Sequence, residues 1–395
     1  MGCGGTPPAR QVYLHDAEPI GTVRASYDGG LTPELAVSTF RNIHRLFPSR
    51  TIAPARKPSP LSPAATPLGT VTFSASGRTY DLEDYVRENR VTGLLVLKDG
   101  RVALERYEQG NTSRTRWMSM SIAKSVTSTL IGAAMHQGRI ASLTDSVTRY
   151  VPSLRGSAYE GVSVRDVLMM SSGVRWDETY TDPASDRRRL LEAQISQQPG
   201  AALNVMKSLT TAAAPGTRNN YSTGETQVAG EIVHGAVGET LARYLSERIW
   251  SRFGMEAEAT WWLTSANGIE VGGSGISATL RDYGRLGLFM LGDGIAGGER
   301  ILPPGWIEEA TTPKALPNGA PLDYGYMWWP GTSPSARRDR AYSARGIHGQ
   351  ALYVNPAASV VIVVWSAQPW PTGGAAIGDS EFFEGVVAAL DPGKS

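Results

Sequence analysis

The stretch "VTGLLVLKDGRVALERYEQG", Val91 to Gly110, holds two β-rich runs on either side of Lys98-Asp99-Gly100, which is a hairpin signal. Comparable runs return only near the other end of the chain. They are "YGYMWWP" (Tyr324–Pro330), "IHGQALYVNP" (Ile347–Pro356) and "ASVVIVVWS" (Ala358–Ser366). Between them the pattern is mainly helical, as in "VSVRDVLMMSSG" (Val162–Gly173), "ALNVMKSL" and "TQVAGEIVHGAVG" (Thr226–Gly238). Strands at both ends and helices in the middle predict an antiparallel sheet assembled from the two chain ends, flanked by helices, with a helical region inserted. The fold class is therefore α+β.

The division predicted along the chain follows. Residues 1–70 form an N-terminal arm with a helical candidate, "TPELAVSTFRNIHRLF" (Thr32–Phe47), and a proline-rich linker, "PARKPSPLSPAATPLG" (Pro54–Gly69). Proline at that density allows neither helix nor central strand, so the linker is expected to lie extended on the surface. Residues 71–124 and 272–395 form the sheet region, beginning with "TVTFSA". Residues 125–271 form the mainly helical region. The stretch "GGSGISATLRDYGRLGLFMLGDG" (Gly272–Gly294) is expected to supply one further helix, and "SEFFEGVVAAL" (Ser380–Leu390) the last.

Composition narrows the function classes. A net charge of +1 over 395 residues argues against a nucleic-acid binder that depends on a strong basic field. The longest apolar runs are strand-length, so no transmembrane span is expected. The one cysteine, Cys3, excludes an internal disulfide and a cysteine-based metal cluster. The five histidines are scattered without an HExxH pattern, so no metal or other cofactor is expected. The opening "MGCGGTPPAR" leaves three readings: a plain start, a lipoprotein remnant at Gly2-Cys3, or a myristoylation pattern ending at Thr6. Localisation stays open with them, cytoplasmic or, if Cys3 carries lipid, extracytoplasmic.

One lysine stands out in "WMSMSIAKSVTSTLIGAAMHQGRI" (Trp117–Ile140). Lys124 falls one turn after Ser121, on the same helical face, in a stretch too rich in small and apolar residues to be exposed all round. Ser-x-x-Lys alone is a chance pattern, and a solvated lysine is its ordinary reading. At the head of a buried helix it reads differently. Ser121 would lie among the unpaired N–H donors of the first turn, where the helix dipole adds positive potential. A serine that attacks a carbonyl needs a base and a place for the oxyanion; a desolvated Lys124 could be that base.

Together with "VSVRDVLMMSSGVRWDETYTDPASD", "NNYSTGETQVAGEIV" and "GIHGQALYVNP", this helix resembles the serine β-lactamase and penicillin-binding-protein superfamily. The likeness is to its class C-like branch, and there to nylon-oligomer (6-aminohexanoate-dimer) hydrolases and related esterases. It runs from about Val91 to the C-terminus. The resemblance implies a β-lactamase-like fold with the site in the crevice between sheet and helical region. It implies a serine hydrolase that opens linear amide or ester bonds of a small molecule through an acyl-enzyme on Ser121.

The family's second motif, Tyr-x-Asn or Tyr-x-Ser, falls on Tyr221-Ser222-Thr223. Tyr221 would relay the serine proton to the leaving group; a tyrosine packed before a helix capped by Ser222 or Thr223 is the alternative. Thr223 keeps a hydroxyl but not an amide, which weakens amide recognition there. The third motif, Lys-Thr-Gly or His-Thr-Gly, falls on Ala344-Arg345-Gly346, so its cation is missing. Gly346 would let substrate approach the strand, and the Ile347 N–H would join that of Ser121 as the oxyanion hole. Nylon-oligomer hydrolases share the missing cation, unlike lactamases and peptidases that bind a substrate carboxylate. His348 reads as a satisfied polar residue rather than a triad base. Tyr180 and Gly273-Ser274-Gly275 are expected to line the pocket, with ordinary packing an equal reading for Tyr180. Glu178, Asp182 and Asp186 read as loop-capping or solvent-facing. Trp328 and Trp329, adjacent on a strand, should point to opposite faces, and at least one should be core.

Other classes remain in view. A conventional α/β-hydrolase would need a Gly-x-Ser-x-Gly elbow, which is absent. A carboxylesterase would use the same groups. A D,D-peptidase or β-lactamase is weakened by Thr223 and Ala344. A non-catalytic binding protein on this fold would usually have a broken Ser–Lys–Tyr set. The assembly is left open, with a homodimer as one candidate.

Overall fold

The computed structural model describes residues 13–391. The readings placed on Gly2, Cys3 and Thr6 lie outside the described residues.

The two chain ends build one six-stranded antiparallel sheet. Its strands are β2 (Val91–Lys98), β3 (Arg101–Tyr107), β7 (Trp329–Pro330), β8 (Tyr342–Gly346), β9 (Gln350–Asn355) and β10 (Val360–Ser366), in the order β7-β8-β9-β10-β2-β3. Leu95 faces Val363 and Val96 faces Ile362 across the β2–β10 seam, which ties residues some 270 positions apart. The β2–β3 hairpin turns at Asp99 and Gly100, with φ of +51° and +74°. Both central residues are left-handed, as a tight two-residue hairpin turn requires.

The central strands are buried on both faces, which explains their almost unbroken apolar sequence. Leu95, Leu97, Val361 and Val363 face the main core, with helix α4 (Leu280–Leu291) laid across them. Leu94, Val96, Ile362 and Val364 face the other way, onto helix α5 (Asp379–Leu390), where Phe382 stacks on Tyr85. Gly284 and Gly287, one turn apart on α4, allow that helix to approach closely. A methyl group on Gly284 would come within 2.5 Å of Leu95, and one on Gly287 within 2.4 Å of Val361.

A second, four-stranded sheet runs β1-β5-β6-β4, from β1 (Ser49–Ile52), β4 (Arg116–Met118), β5 (Ala259–Trp262) and β6 (Ile276–Thr279). It corrects two expectations. The stretch from Gly272 is not one helix but a strand, β6, that passes into α4 with Thr279 as its N-cap. Residues 259–262, inside the region read as mainly helical, form β5; all four are buried, so no alternation marked them as a strand. The run "YGYMWWP" is strand only at Trp329–Pro330, because Gly325 and Tyr326 bond to Trp328 and Ala310 instead of to a neighbouring strand. The Thr32–Phe47 candidate is helical over Pro33–Phe40, followed by a short turn at Ile43–Arg45. "TVTFSA" contributes Thr72–Ala75, which pairs with Arg78–Asp81 in a separate hairpin.

The proline-rich linker lies along the outer edge of β3. Ala64 and Leu68 donate to Val102 and Ala103, and Val102 donates to Ser62. It therefore occupies an edge that would otherwise offer unpaired backbone to another chain. Among the described residues, no helix is long and apolar enough to cross a membrane.

Candidate active site

Helix α1 (Ile122–His136) starts at a corner. Strand β4 is held in β6's sheet up to Met118, and the Ser119 N–H donates to the Ile276 carbonyl at 2.7 Å while its Oγ accepts from the Ile276 N–H at 3.1 Å. Met120 then takes φ +40°, a conformation costly for a side-chain-bearing residue. The helix begins directly after it. Ser121 sits at the N-cap but its side chain caps nothing, so its Oγ is free for other partners. Among the described residues, neither the Ser121 nor the Ile347 N–H donates to another protein group.

Lys124 follows one turn later and is 2% exposed. Its Nζ donates to Ser121 Oγ at 3.0 Å, Thr223 Oγ1 at 2.9 Å and the Gly273 carbonyl at 3.2 Å. Among the described residues, no carboxylate pairs with it. Burial drives its pKa down to about 7, the Glu178 carboxylate partly offsets that, and the Arg187 guanidinium adds to the depression. Gly273 must be small: a methyl group there would lie 3.2 Å from Lys124 Nζ and 3.1 Å from Thr223 Cγ2. The rest of α1 is held in the interior by polar side chains that find carbonyls, Ser125 with Met327 at 2.6 Å and Thr127 with Gly272 at 2.7 Å.

Helix α3 (Thr223–Val237) presents the second group. Ser222 is its N-cap and accepts from the Glu225 N–H at 3.1 Å. Tyr221 therefore precedes a capped helix, and its ring also comes close to Lys124. Its ring centroid lies 5.5 Å from Lys124 Nζ and stacks on Trp329 at 5.6 Å. Burial raises the Tyr221 pKa, Glu178 raises it further, and the Ser121 side chain opposes both. Trp328 turns the other way, 1% exposed and edge-on to Tyr342. One tryptophan is thus core and the other backs Tyr221.

The structure brings Ser121, Lys124, Tyr180, Thr223, Gly273 and Ile347 to one narrow crevice. Tyr27, Met120, Arg187 and Ser274 also line it. Gly346 sits one residue behind Ile347, and its role differs from the expected one. A methyl group on it would meet the Ser119 carbonyl at 2.6 Å, so the close approach that needs glycine is by the protein's own backbone at the head of α1. Ala344 is fully buried and Arg345 faces outward, so no cation reaches the crevice from β8. His348 is buried, with Nδ1 on the Gln368 carbonyl at 2.9 Å, and burial lowers its pKa to about 4, which keeps it neutral.

Sequence reasoning missed three groups. Glu178 does cap, but at the site: it accepts from the Thr223 N–H at 2.8 Å and from the Thr223 hydroxyl. Tyr27 and Arg187 come from the N-terminal arm and from helix α2 (Asp186–Ile195), and no local pattern links them. The cluster of three arginines after Asp186 was the available signal. Asp182 and Asp186 are loop caps, on the Ala184 and Asp177 N–H groups.

The chain is similar to known proteins over most of its length. Residues 82–379 match the family model described as Beta-lactamase. The chain is 30% identical over 345 residues to the 6-aminohexanoate-dimer hydrolase of Paenarthrobacter ureafaciens, covering 84% of this chain and 85% of that one. The solved structure of a candidate 6-aminohexanoate-dimer hydrolase from Bacillus anthracis superposes with a TM-score of 0.81 at 23% identity, over 91% of this chain and 95% of that one. A class C beta-lactamase gives a TM-score of 0.56 at 18% identity, over 80% and 94% of the two chains.

Proposed function

The chain belongs to the beta-lactamase family and is a hydrolase of amide or ester bonds, and we propose that it works through an acyl-enzyme on Ser121, with Lys124 as base and Tyr221 as proton relay. The observation that carries this reading is the Lys124 hydrogen-bond set. A neutral amine has two hydrogens and one lone pair. The Gly273 carbonyl can only accept. Thr223 spends its hydroxyl hydrogen on Glu178, so it too must accept from Lys124. Both amine hydrogens are then used, and in the neutral form the lone pair takes the place of the hydrogen that the ammonium donates to Ser121 Oγ, 3.0 Å away. Ser121 donates its hydrogen to that lone pair as it attacks the carbonyl carbon.

The attacked carbonyl oxygen becomes an oxyanion, which the unengaged N–H groups of Ser121 and Ile347 receive. Collapse expels an amine or alcohol, which takes a proton from Tyr221; Lys124 returns the serine proton to Tyr221. Water then attacks the acyl group by the same relay in reverse. Tyr180 lines the substrate's place, Thr223 and Gly273 orient Lys124, and Gly346 lets β8 pack on the head of α1. No step requires a metal or an organic cofactor.

The linear-amide reading draws on the named activity of the relative 30% identical over most of both chains. A panel of linear amides, p-nitrophenyl esters and nitrocefin tests it. Hydrolysis of linear amides and esters, with nitrocefin untouched and all activity lost in Ser121→Ala, is the expected result. Turnover of nitrocefin alone would replace this reading by a lactamase one.

A further inference from the structure

Four arginines are buried among the described residues: Arg41, Arg187, Arg188 and Arg285. A guanidinium is always charged, and burying one without a counterion is costly, so such residues carry carboxylate partners. Arg41 has Glu18 at 2.6 Å, Arg188 has Asp28 at 2.6 Å, and Arg285 has Asp282 and Glu256 at 2.9 and 2.8 Å. Arg187 has none. Its guanidinium makes one hydrogen bond, to the Tyr27 hydroxyl, and its Nε has no partner. Tyr27 cannot neutralise it, because burial raises the phenol's pKa and keeps the proton on.

This one unpaired arginine also lines the crevice that holds Ser121. Its sequence neighbours Arg188 and Arg189 point elsewhere and are paired, Arg189 with Asp186 at 2.7 Å. The charged groups facing Arg187 are Lys124 and Glu178. Both Glu178 oxygens already accept, from Thr223 and from Trp176 Nε1, and neither pairs with the guanidinium. Among the described residues, the site therefore holds a fixed, desolvated cation to which no carboxylate is hydrogen-bonded.

We propose that Arg187 is the receptor for a carboxylate carried by the substrate, so that the bond opened here belongs to a linear molecule with an anionic end. The proposal rests on the Ser121 reading for the reaction, but not for the binding. It also accounts for the missing cation on β8: the anion-binding charge comes from α2 instead. A guanidinium fork bound to a carboxylate through two parallel hydrogen bonds is the strong form of this contact, and its loss costs roughly ten- to a hundredfold in affinity.

Two measurements test it. In the first, adipate and the neutral 1,6-hexanediol are titrated calorimetrically into the full-length protein, which requires no chemistry at Ser121. Adipate should bind at least about tenfold tighter, and Arg187→Gln should erase the difference; equal binding of the two by the wild-type protein overturns the proposal. In the second, kcat/KM is compared for mono-p-nitrophenyl adipate and p-nitrophenyl hexanoate. The ratio should favour the charged ester, fall about tenfold or more in Arg187→Gln through KM, and fall less in Arg187→Lys. An equal loss on both esters would make Arg187 a structural residue and overturn the proposal. Adipate binding without hydrolysis of either ester would sink the Ser121 reading and leave the receptor standing.

Discussion

The pH dependence of hydrolysis should report Lys124. In water a lysine of ordinary pKa, 10.5, is neutral in roughly one molecule in three thousand at pH 7. With its pKa at about 7, half of the Lys124 amines are neutral at that pH. The base form is lost as pH falls, so kcat/KM on a p-nitrophenyl ester should be level above about pH 8. It should drop about tenfold per unit below about pH 6, to roughly a hundredth at pH 5. Two variants should move this limb in opposite directions. Glu178 favours the charged ammonium, so Glu178→Gln should shift the limb to lower pH. Arg187 disfavours it, so Arg187→Gln should shift the limb to higher pH. The rate is followed at the p-nitrophenol isosbestic wavelength, so that the titration of product does not intrude. A profile flat from pH 5 to 9, or a limb near 10, would refute the reasoning, as would both variants shifting it the same way.

Tyr221→Phe should cost linear-amide hydrolysis on the order of a hundredfold or more and p-nitrophenyl ester hydrolysis clearly less, because an amine must be protonated to leave and p-nitrophenolate need not be; equal losses in steady-state kinetics would assign Tyr221 to attack instead. Leu95→Ala should destabilise the protein by about 2–5 kcal/mol in guanidinium unfolding, since Leu95 is fully buried between β10 and the close-packed glycines of α4; a loss below about 1 kcal/mol would mean that this seam is not tightly packed.

The parts of this molecule visible in the sequence are those set by local spacing. The Lys98-Asp99-Gly100 hairpin, the strand-rich ends and the Ser121–Lys124 interval each lie within one element or one turn, where period and turn chemistry decide. The short strand β5 was invisible because burial on both faces removes the alternation that marks a strand. The first half of β6 was hidden by the glycines before it. Glu178 was legible as a cap but not as a site residue, because the helix whose N–H it accepts begins 45 residues later. Tyr27 and Arg187 are 160 residues apart and meet only through the fold. Gly346 was read as making room for substrate, yet the neighbour that enforces glycine there is the Ser119 carbonyl, which only the packing of β8 on the head of α1 supplies.

The central claim is that Ser121, activated by a buried neutral lysine, forms the acyl-enzyme. Reaction of the full-length protein with a fluorophosphonate, followed by peptide mass mapping, tests it most directly. One phosphonylated peptide carrying the mass on Ser121 is predicted, with labelling lost in Ser121→Ala and slowed severely in Lys124→Ala. Label on any other residue, or label that persists in Ser121→Ala, would contradict the account.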